Sequence, residues 1–285
     1  MHPHVSVIIP AYNRGACLAR ALDSVLTQTL QPQEVIVVDD KSTDSSVADT
    51  LTRYSDRFEQ QGITFLSLVN PENAGAARSR NRGVAASGGG MLAFLDSDDA
   101  WHPSHLETCL GILQSESGTD FLASNHYDQG KQSHRNPMLP STGAKKTLVD
   151  DAYEFKFSAT KAPLRTSGLV MTKAGFESIG GFDEDLGKHQ DWDLVMRFNR
   201  ANGRFVYNLG STVLIHSESE NRMSHSSNYT ASLRFLKRHH RGMKISHRVR
   251  FSRAVIKSLK KDKKYREALK FTAFFLAIVA LPRSK

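Results

Sequence analysis

Four short apolar runs separated by amphipathic helical patterns fill the first hundred residues, and this alternation restricts the fold more than any other feature. Residues 5–10 (VSVIIP) are apolar almost throughout, as a strand buried on both faces would be. After the turn-like Tyr12-Asn13-Arg14-Gly15, the spacing of Leu18, Leu22, Val25 and Leu26 predicts a helix. Residues 34–38 (EVIVV) predict a second strand. A helix carrying Val47, Leu51 and Tyr54 follows it, with N-caps offered between Ser42 and Asp44. Residues 63–69 and 91–95 predict two further strands, with an Ala- and Arg-rich helix at 74–87 between them. Strands alternating with helices predict an α/β fold built on a largely parallel sheet. No fixed-period repeat occurs, which excludes a solenoid.

Beyond residue 104 the pattern loosens. Helices are predicted at 104–116, 173–179 and 191–201, and strands at 120–125, 169–171 and 204–215. The polar stretch 128–150 reads as a long loop, and from 228 onward the chain reads as basic helices. Charge is divided along the same line. Residues 231–285 hold 17 Lys/Arg against 2 Asp/Glu, whereas the first 230 hold 21 against 27. Two cysteines, Cys17 and Cys109, are too few for a disulfide framework and lack metal-type spacing. They point to reduced thiols in a cytoplasmic protein. Residues 5–9 lack the flanks of a signal peptide. The apolar run 271–281 would rise only about 16 Å as a helix, roughly half a bilayer core, so it is not expected to span one.

Two of the strands run directly into acids: Val37-Val38-Asp39-Asp40 and Leu95-Asp96-Ser97-Asp98-Asp99. In an open parallel sheet, ligands bind beyond the carboxyl ends of the strands, so both clusters should share one crevice. Five carboxylates there repel one another unless something neutralises them. A hard divalent cation, Mn2+ or Mg2+, does so through oxygen ligands and in turn holds phosphates. A solvated acidic turn is the plainer alternative for the second cluster. Asp191, in Gln190-Asp191-Trp192-Asp193, falls at the start of a predicted helix, where an N-cap is the plainer reading and a base beside an apolar wall the alternative.

Together VSVIIPAYNR, EVIVVDDKSTDSS, NAGAARSRNRG, LAFLDSDDAW, GGFDEDL and QDWDLVMR resemble, in order and spacing, the family 2 glycosyltransferases. These are inverting, nucleotide-sugar-dependent enzymes of the GT-A fold, and the resemblance covers residues 4–225. It implies a GT-A, Rossmann-like α/β sheet flanked by helices over residues 1–227, with a nucleotide-binding half at 1–100 and an acceptor half at 101–227. A basic amphipathic helical extension, 228–285, follows. By resemblance, Pro10, Ala11, Tyr12 and Arg14 form the first nucleotide loop, and Asp40 meets the base, usually uracil. Arg80 and Asn81 lie under the nucleotide, with Arg78 an alternative arginine. Asp96 and Ser97 belong to the DxD motif on its ribose side. Asp98, Asp99 and His216 would hold the metal, Mn2+ or Mg2+. Asp191 would be the catalytic base, and Gly181, Asp183, Gln190 and Trp192 would face the sugar or acceptor. Gln190 stands where the family usually has Glu. Gly88-Gly89-Gly90 precedes a strand, so it reads as a turn rather than a phosphate cradle.

The implied activity is transfer of a sugar from a nucleoside diphosphate sugar, a UDP-sugar, to a hydroxyl of a sugar or lipid-linked acceptor in bacterial cell-surface glycan (polysaccharide) or glycolipid assembly. The alternatives are a nucleotidyltransferase-like enzyme and an inactive nucleotide-sugar-binding module. The first would need a Gly-rich basic loop after the first strand, where this chain has Ala11-Tyr12-Asn13-Arg14-Gly15. Nucleic acid is not an expected partner, because the basic tail lacks a recognised motif and aromatic stacking positions. Basic residues interleaved with apolar ones, ending in an apolar run, predict a helix lying on the anionic inner face of the cytoplasmic membrane. The alternative is a tail whose apolar run packs on the body.

Overall fold

The computed structural model describes residues 3–128, 146–157, 164–216 and 228–279. Strands β1 (Val5–Ala11) and β2 (Glu34–Asp39) are buried along their whole length. Their side chains leave alternately to opposite faces. Val7, Ile9, Val35 and Val37 join one apolar cluster, and Ile8, Ile36 and Val38 join the other. Strand β3 (Thr64–Val69) forms one edge, β4 (Met91–Phe94) lies on the far side of β1, and these pairings are parallel. Helices α1 (Gly15–Leu26) and α2 (Ser46–Gln60) cover one face, and α3 (Ala76–Ala86) covers the other. The Gly88–Gly90 segment is a turn: Glu34 accepts bonds from the amides of Gly88 and Gly89 at 2.7 and 2.8 Å. A Cβ at Gly89 would lie 2.3 Å from Ser6 Oγ, so only glycine lets the chain pass there.

The second half adds β5 (Asp99–Trp101), α4 (His105–Ser115), β6 (Phe121–Asp128), β7 (Lys146–Val149), α5 (Ala152–Phe157), β8 (Leu169–Thr172), α6 (Lys173–Ser178), α7 (Gln190–Asn202) and β9 (Phe205–Ile215). The sheet runs β3-β2-β1-β4-β8-β6-β9-β5, with β7 against β9. It is mixed, because β8 enters antiparallel between β4 and β6. Three short elements depart from the sequence reading. Residues 146–149, assigned to a loop, pair with β9 as a strand; positions 129–145 of that loop lie outside the described residues. The acidic segment beginning at Asp99 pairs with β9 as β5. Helix α5 had no sequence signal of its own. Helix α2 also begins later than the Ser42–Asp44 caps suggested. Ser42 instead bonds Asp39, while the Asp44 carboxylate accepts the Ser46 amide at 2.9 Å.

The basic tail forms α8 (Tyr229–His239), α9 (Ile245–Lys261) and α10 (Tyr265–Val279). Phe235, Phe251 and Phe271 are buried in the same cluster as Leu194 and Val195 of α7. Part of the tail's charge is answered by the acids of the body. Arg234 meets Asp185 at 2.6 Å, Arg238 meets Asp183 and Asp193 at 2.8 and 3.0 Å, and Lys244 meets Glu154 at 2.6 Å. Arg248 is wholly buried, and donates to the carbonyls of His240 at 2.7 Å and Ile278 at 2.8 Å. Among the described residues, no helix is long and apolar enough to cross a membrane.

Candidate active site

A cleft of about 470 Å³ opens beyond the carboxyl ends of β1, β2 and β4, where a doubly covered sheet binds ligands. Pro10, Ala11, Tyr12, Arg14, Asp40 and the Asp96–Asp99 segment all line it. Asp40 accepts from the amides of Ala74 at 2.9 Å and Gly75 at 2.7 Å, and from the Asn70 side chain at 2.7 Å. That uses three of a carboxylate's roughly four lone-pair positions and leaves one for a ligand donor. The loops around the cleft hold Asn13 (φ 49°) and Lys41 (φ 63°) in the left-handed region, which is costly for non-glycine residues and tends to concentrate at functional sites.

The aspartates after β4 are held by a ring of donors. Arg14 meets Asp98 at 2.6 Å, and Arg20 donates to the Asp98 carbonyl at 3.1 Å. Arg80, itself buried, bonds Asp96 on one side and the Gln190 side-chain oxygen, at 2.7 Å, on the other. Ser167 donates to Asp99 at 2.7 Å while its oxygen accepts the Asp96 amide at 3.1 Å. Oxygens of Asp96, Asp98 and Asp99 lie within 4.8 Å of one another. Three clustered carboxylates are a hard-oxygen donor set that fits Mn2+ or Mg2+. His216 follows Ile215, whose register partner is Asp99, so β9 delivers it to this end of the sheet.

A second pocket, of about 440 Å³, adjoins the first and shares Arg80, Asp96 and Arg165 with it. Asp191 lines it from the first turn of α7 and accepts the Trp192 amide at 3.0 Å. The N-cap of that helix is His189, not Asp191. Burial pushes the Asp191 carboxyl above the ordinary carboxylate range, against the opposing pull of Lys156 and Arg165. Two residues on, Asp193 goes the other way. Burial raises it, but the bond from His239 and the charge of Arg197 outweigh that and bring it down to about 2. Trp192 stands against His189, Phe157, Phe235 and Phe251, with Lys156 Nζ 4.0 Å from its ring centre. Gln190 is buried in the same wall; its amide nitrogen donates to the Leu186 carbonyl at 2.7 Å.

Not every residue implied by the resemblance reaches these cavities. Arg78 faces outward to Glu72 at 3.2 Å and Glu184 at 3.8 Å. Asn81 closes the turn that follows Gly181, exchanging bonds with Phe182 at 2.9 Å in both directions. Gly181 is required there by its φ of 68° and by Asn81 and Phe176 within 3 Å of a Cβ, so it shapes the turn rather than lining either cavity. Asp183 is engaged by Arg238 at 2.8 Å and by Arg234, so it docks α8. Conversely, Lys156, Arg165, Lys188 and the α9 residues Phe251 and Val255 line the second pocket. For Phe251 and Val255 the only sequence signal was an apolar spacing inside a basic tail, which says nothing of what that face covers.

A family model described as "Glycosyl transferase family 2" matches residues 6–176, more than half of the chain. The chain belongs to that family. Its relatives include the amylovoran biosynthesis glycosyltransferase AmsB of Erwinia amylovora, 28% identical over 202 residues that cover 70% of this chain and 65% of that protein. The uncharacterized glycosyltransferase YibD of Escherichia coli K12 is 37% identical over 237 residues, covering 79% of this chain and 65% of that one. The chain thus spans just under two thirds of the length of these two relatives. Among solved structures, S. aureus TarS 1–349 in complex with UDP-GlcNAc superposes with a TM-score of 0.70 at 17% identity, covering 97% of this chain and 81% of TarS 1–349. This likeness concerns the fold: the mixed sheet with helices on both faces is the GT-A arrangement of the family 2 glycosyltransferases.

Proposed function

We propose that the chain transfers a sugar from a UDP-sugar to an acceptor hydroxyl with inversion, using Asp191 as the base. The observation that carries this reading is the placement of Asp191. It stands in a pocket that meets the nucleotide cleft at Arg80, Asp96 and Arg165. A nucleotide in the first cavity would present its sugar to a hydroxyl in the second. Asp191 takes the proton of that hydroxyl as its oxygen bonds to the anomeric carbon. The bond from that carbon to the phosphate oxygen breaks with its electron pair, and UDP leaves in a single displacement. Arg80 and Arg165, at the junction, stand where the leaving diphosphate gains charge. A divalent cation on Asp96, Asp98 and Asp99 would supply further charge neutralisation there. TarS binds UDP-GlcNAc and AmsB serves amylovoran biosynthesis, which supports a UDP-sugar donor and a role in polysaccharide assembly.

The test is UDP release from a panel of UDP-sugars with Mn2+. Asp191→Asn is expected to lower turnover by about 10²–10⁴-fold, the usual worth of a positioned base, while UDP binding persists. Full activity in that variant would remove Asp191 from the role.

The reading extends to place. Tyr265, Leu269 and Leu276 are exposed large apolar residues on α10, on the side away from its buried Phe271. Lys260, Lys261, Lys263, Lys264, Arg266 and Lys270 are exposed beside them. An apolar ridge rimmed by cations suits the interface of an anionic bilayer, with about 1 kcal/mol available per basic residue. The protein is expected to float with phosphatidylglycerol vesicles at low salt and not with phosphatidylcholine vesicles. Leu269→Glu with Leu276→Glu should abolish flotation; unchanged flotation would count against this surface.

A further inference from the structure

The pocket beside Asp191 contains more charge and more apolar wall than removal of a proton requires. Lys156 and Lys188 line this pocket and not the nucleotide cleft. Lys156 Nζ is seated 4.0 Å from the centre of the Trp192 ring, a cation–π position that holds the ammonium on an apolar platform. Among the described residues, the lining has four cationic side chains, Arg80, Lys156, Arg165 and Lys188, against the carboxylates of Asp96 and Asp191. Arg80 is committed to Asp96 and Gln190, and Asp262 acts on Lys188 from the end of α9. His189 is pushed down to about 3, by burial first and then by Lys188 and Lys156, so it adds no charge at neutral pH. The remaining excess is positive and lies at Lys156 and Arg165, facing the single carboxylate of Asp191. Across from them Phe251, Val255 and Leu259 of α9 supply an apolar wall. A neutral sugar would leave that excess charge unanswered.

We propose that this pocket takes its acceptor as an amphipathic anion, with a phosphate held by Lys156 and an apolar chain laid along Trp192, Phe251, Val255 and Leu259. The proposal rests on Asp191 being the base and deepens that reading by naming the acceptor's chemical class. A phosphate on an ammonium forms charge-assisted bonds of the stronger kind, and each apolar carbon that leaves water for the α9 wall adds to them. Burial lowers Lys156 to about 8, with Asp191 acting to raise it and Arg165 to lower it further; an anion at Nζ offsets that loss of hydration.

Trp192 provides the readout, because the other tryptophan, Trp101, is buried in the sheet. The full chain is titrated by fluorescence with octyl phosphate, octyl glucoside, inorganic phosphate and glucose 6-phosphate, and UDP binding is measured separately. Octyl phosphate is expected to bind at least ~10-fold more tightly than each of the other three, the scale of one charge-assisted bond. Lys156→Met should weaken octyl phosphate by ~10-fold while leaving octyl glucoside within ~2-fold. Ala254→Glu, at an exposed position on the pocket rim, adds a repelling charge without burying it and should also weaken octyl phosphate. Equal binding of octyl phosphate and octyl glucoside, or no effect of either substitution, would overturn the proposal. Glucose 6-phosphate or inorganic phosphate binding as tightly as octyl phosphate would also overturn it, since the apolar chain would then have no part. Failure to bind UDP while octyl phosphate still binds would instead strike the functional reading and leave only the pocket's preference for an amphipathic anion.

Discussion

The two cavities are built by opposite means. The nucleotide cleft takes its residues largely from the ends of strands that are neighbours in the sheet: Arg14 after β1, Asp40 after β2 and Asp98 after β4. These residues are held by neighbouring loops and by one another, as in Arg14–Asp98 and Asp40 with the amides before α3. The pocket beside it draws on α5, the 164–166 segment, α7 and α9, separated by up to a hundred residues, and its apolar wall exists only when the tail is docked. A site made at strand ends follows directly from the sheet. A site closed by a docked helix depends on everything that holds the helix there. Asp191 and Asp193 show the difference within one helical turn. One carboxylate faces the cavity with its affinity for a proton raised. The other is spent on His239 and Arg238 of α8, with Tyr153 of α5 bonded to the same histidine at 2.9 Å.

Substituting these two aspartates separates function from docking. Asp193→Asn leaves Arg197, Arg238 and His239 around a neutral amide, and breaking a buried charge network in this way costs about 3–5 kcal/mol. A lowered melting temperature should report it, with UDP binding recovered in whatever fraction stays folded. Asp191→Asn should unfold at the same temperature as the wild type or higher. Its carboxyl is raised in the fold, so keeping it ionised near neutral pH costs stability that the amide does not. The pH dependences differ in sign as well. Asp193 falls to about 2 from an unfolded value of 3.8, so its stabilisation, roughly 2 kcal/mol, is present above the unfolded value and is lost as pH falls toward 2. Activity through Asp191 needs the ionised base, so kcat/KM should fall on the acid side at a pH above the ordinary carboxylate range, while the fold is still intact. An acid limb that follows unfolding instead would erase the distinction.

The same contrast explains what could be read from the sequence. β1, β2 and β4 are continuous apolar runs that end in turns or acids, and burial on both faces is the only arrangement that suits them. The positions of Asp40 and Asp96 followed from that, and Pro10 was placed beside them by resemblance. β5 is three residues long and begins with Asp99; it becomes a strand through β9, which no local pattern announces. β7 is similar, being exposed at Lys146, Thr147 and Leu148 and anchored through Val149. Arg78 and Arg80 are two residues apart on α3, a separation of about 200° around a helix, so only one of them can face the cleft. The sequence left both open; burial and the Asp96 partner mark Arg80 as the one that does. The resemblance put Asp183 on the sugar or acceptor side, yet arginines more than fifty residues later engage it. The tail misled most. Its net charge suggested a device separate from the body, but α8 and the start of α9 spend cations on Asp183, Asp185, Asp193 and Glu154. Exposed charge is concentrated at the end of α9 and on α10.

One of the most exposed of those docking contacts gives the finest test of the comparison. Lys244 and Glu154 meet at 2.6 Å, with about half of each side chain exposed to solvent. Such a pair is worth under ~1 kcal/mol and is screened by salt. Lys244→Ala should therefore lower the melting temperature only slightly, by an amount that shrinks as salt is raised. The pair nevertheless joins the N-terminus of α9 to α5, and both helices line the pocket beside Asp191. If the tail acts as a wall of that pocket, even this small loosening should weaken octyl phosphate binding while UDP binding in the strand-end cleft stays as it was. A change that appears equally in both ligands would mean that the two cavities are a single unit, and the contrast between them would fail.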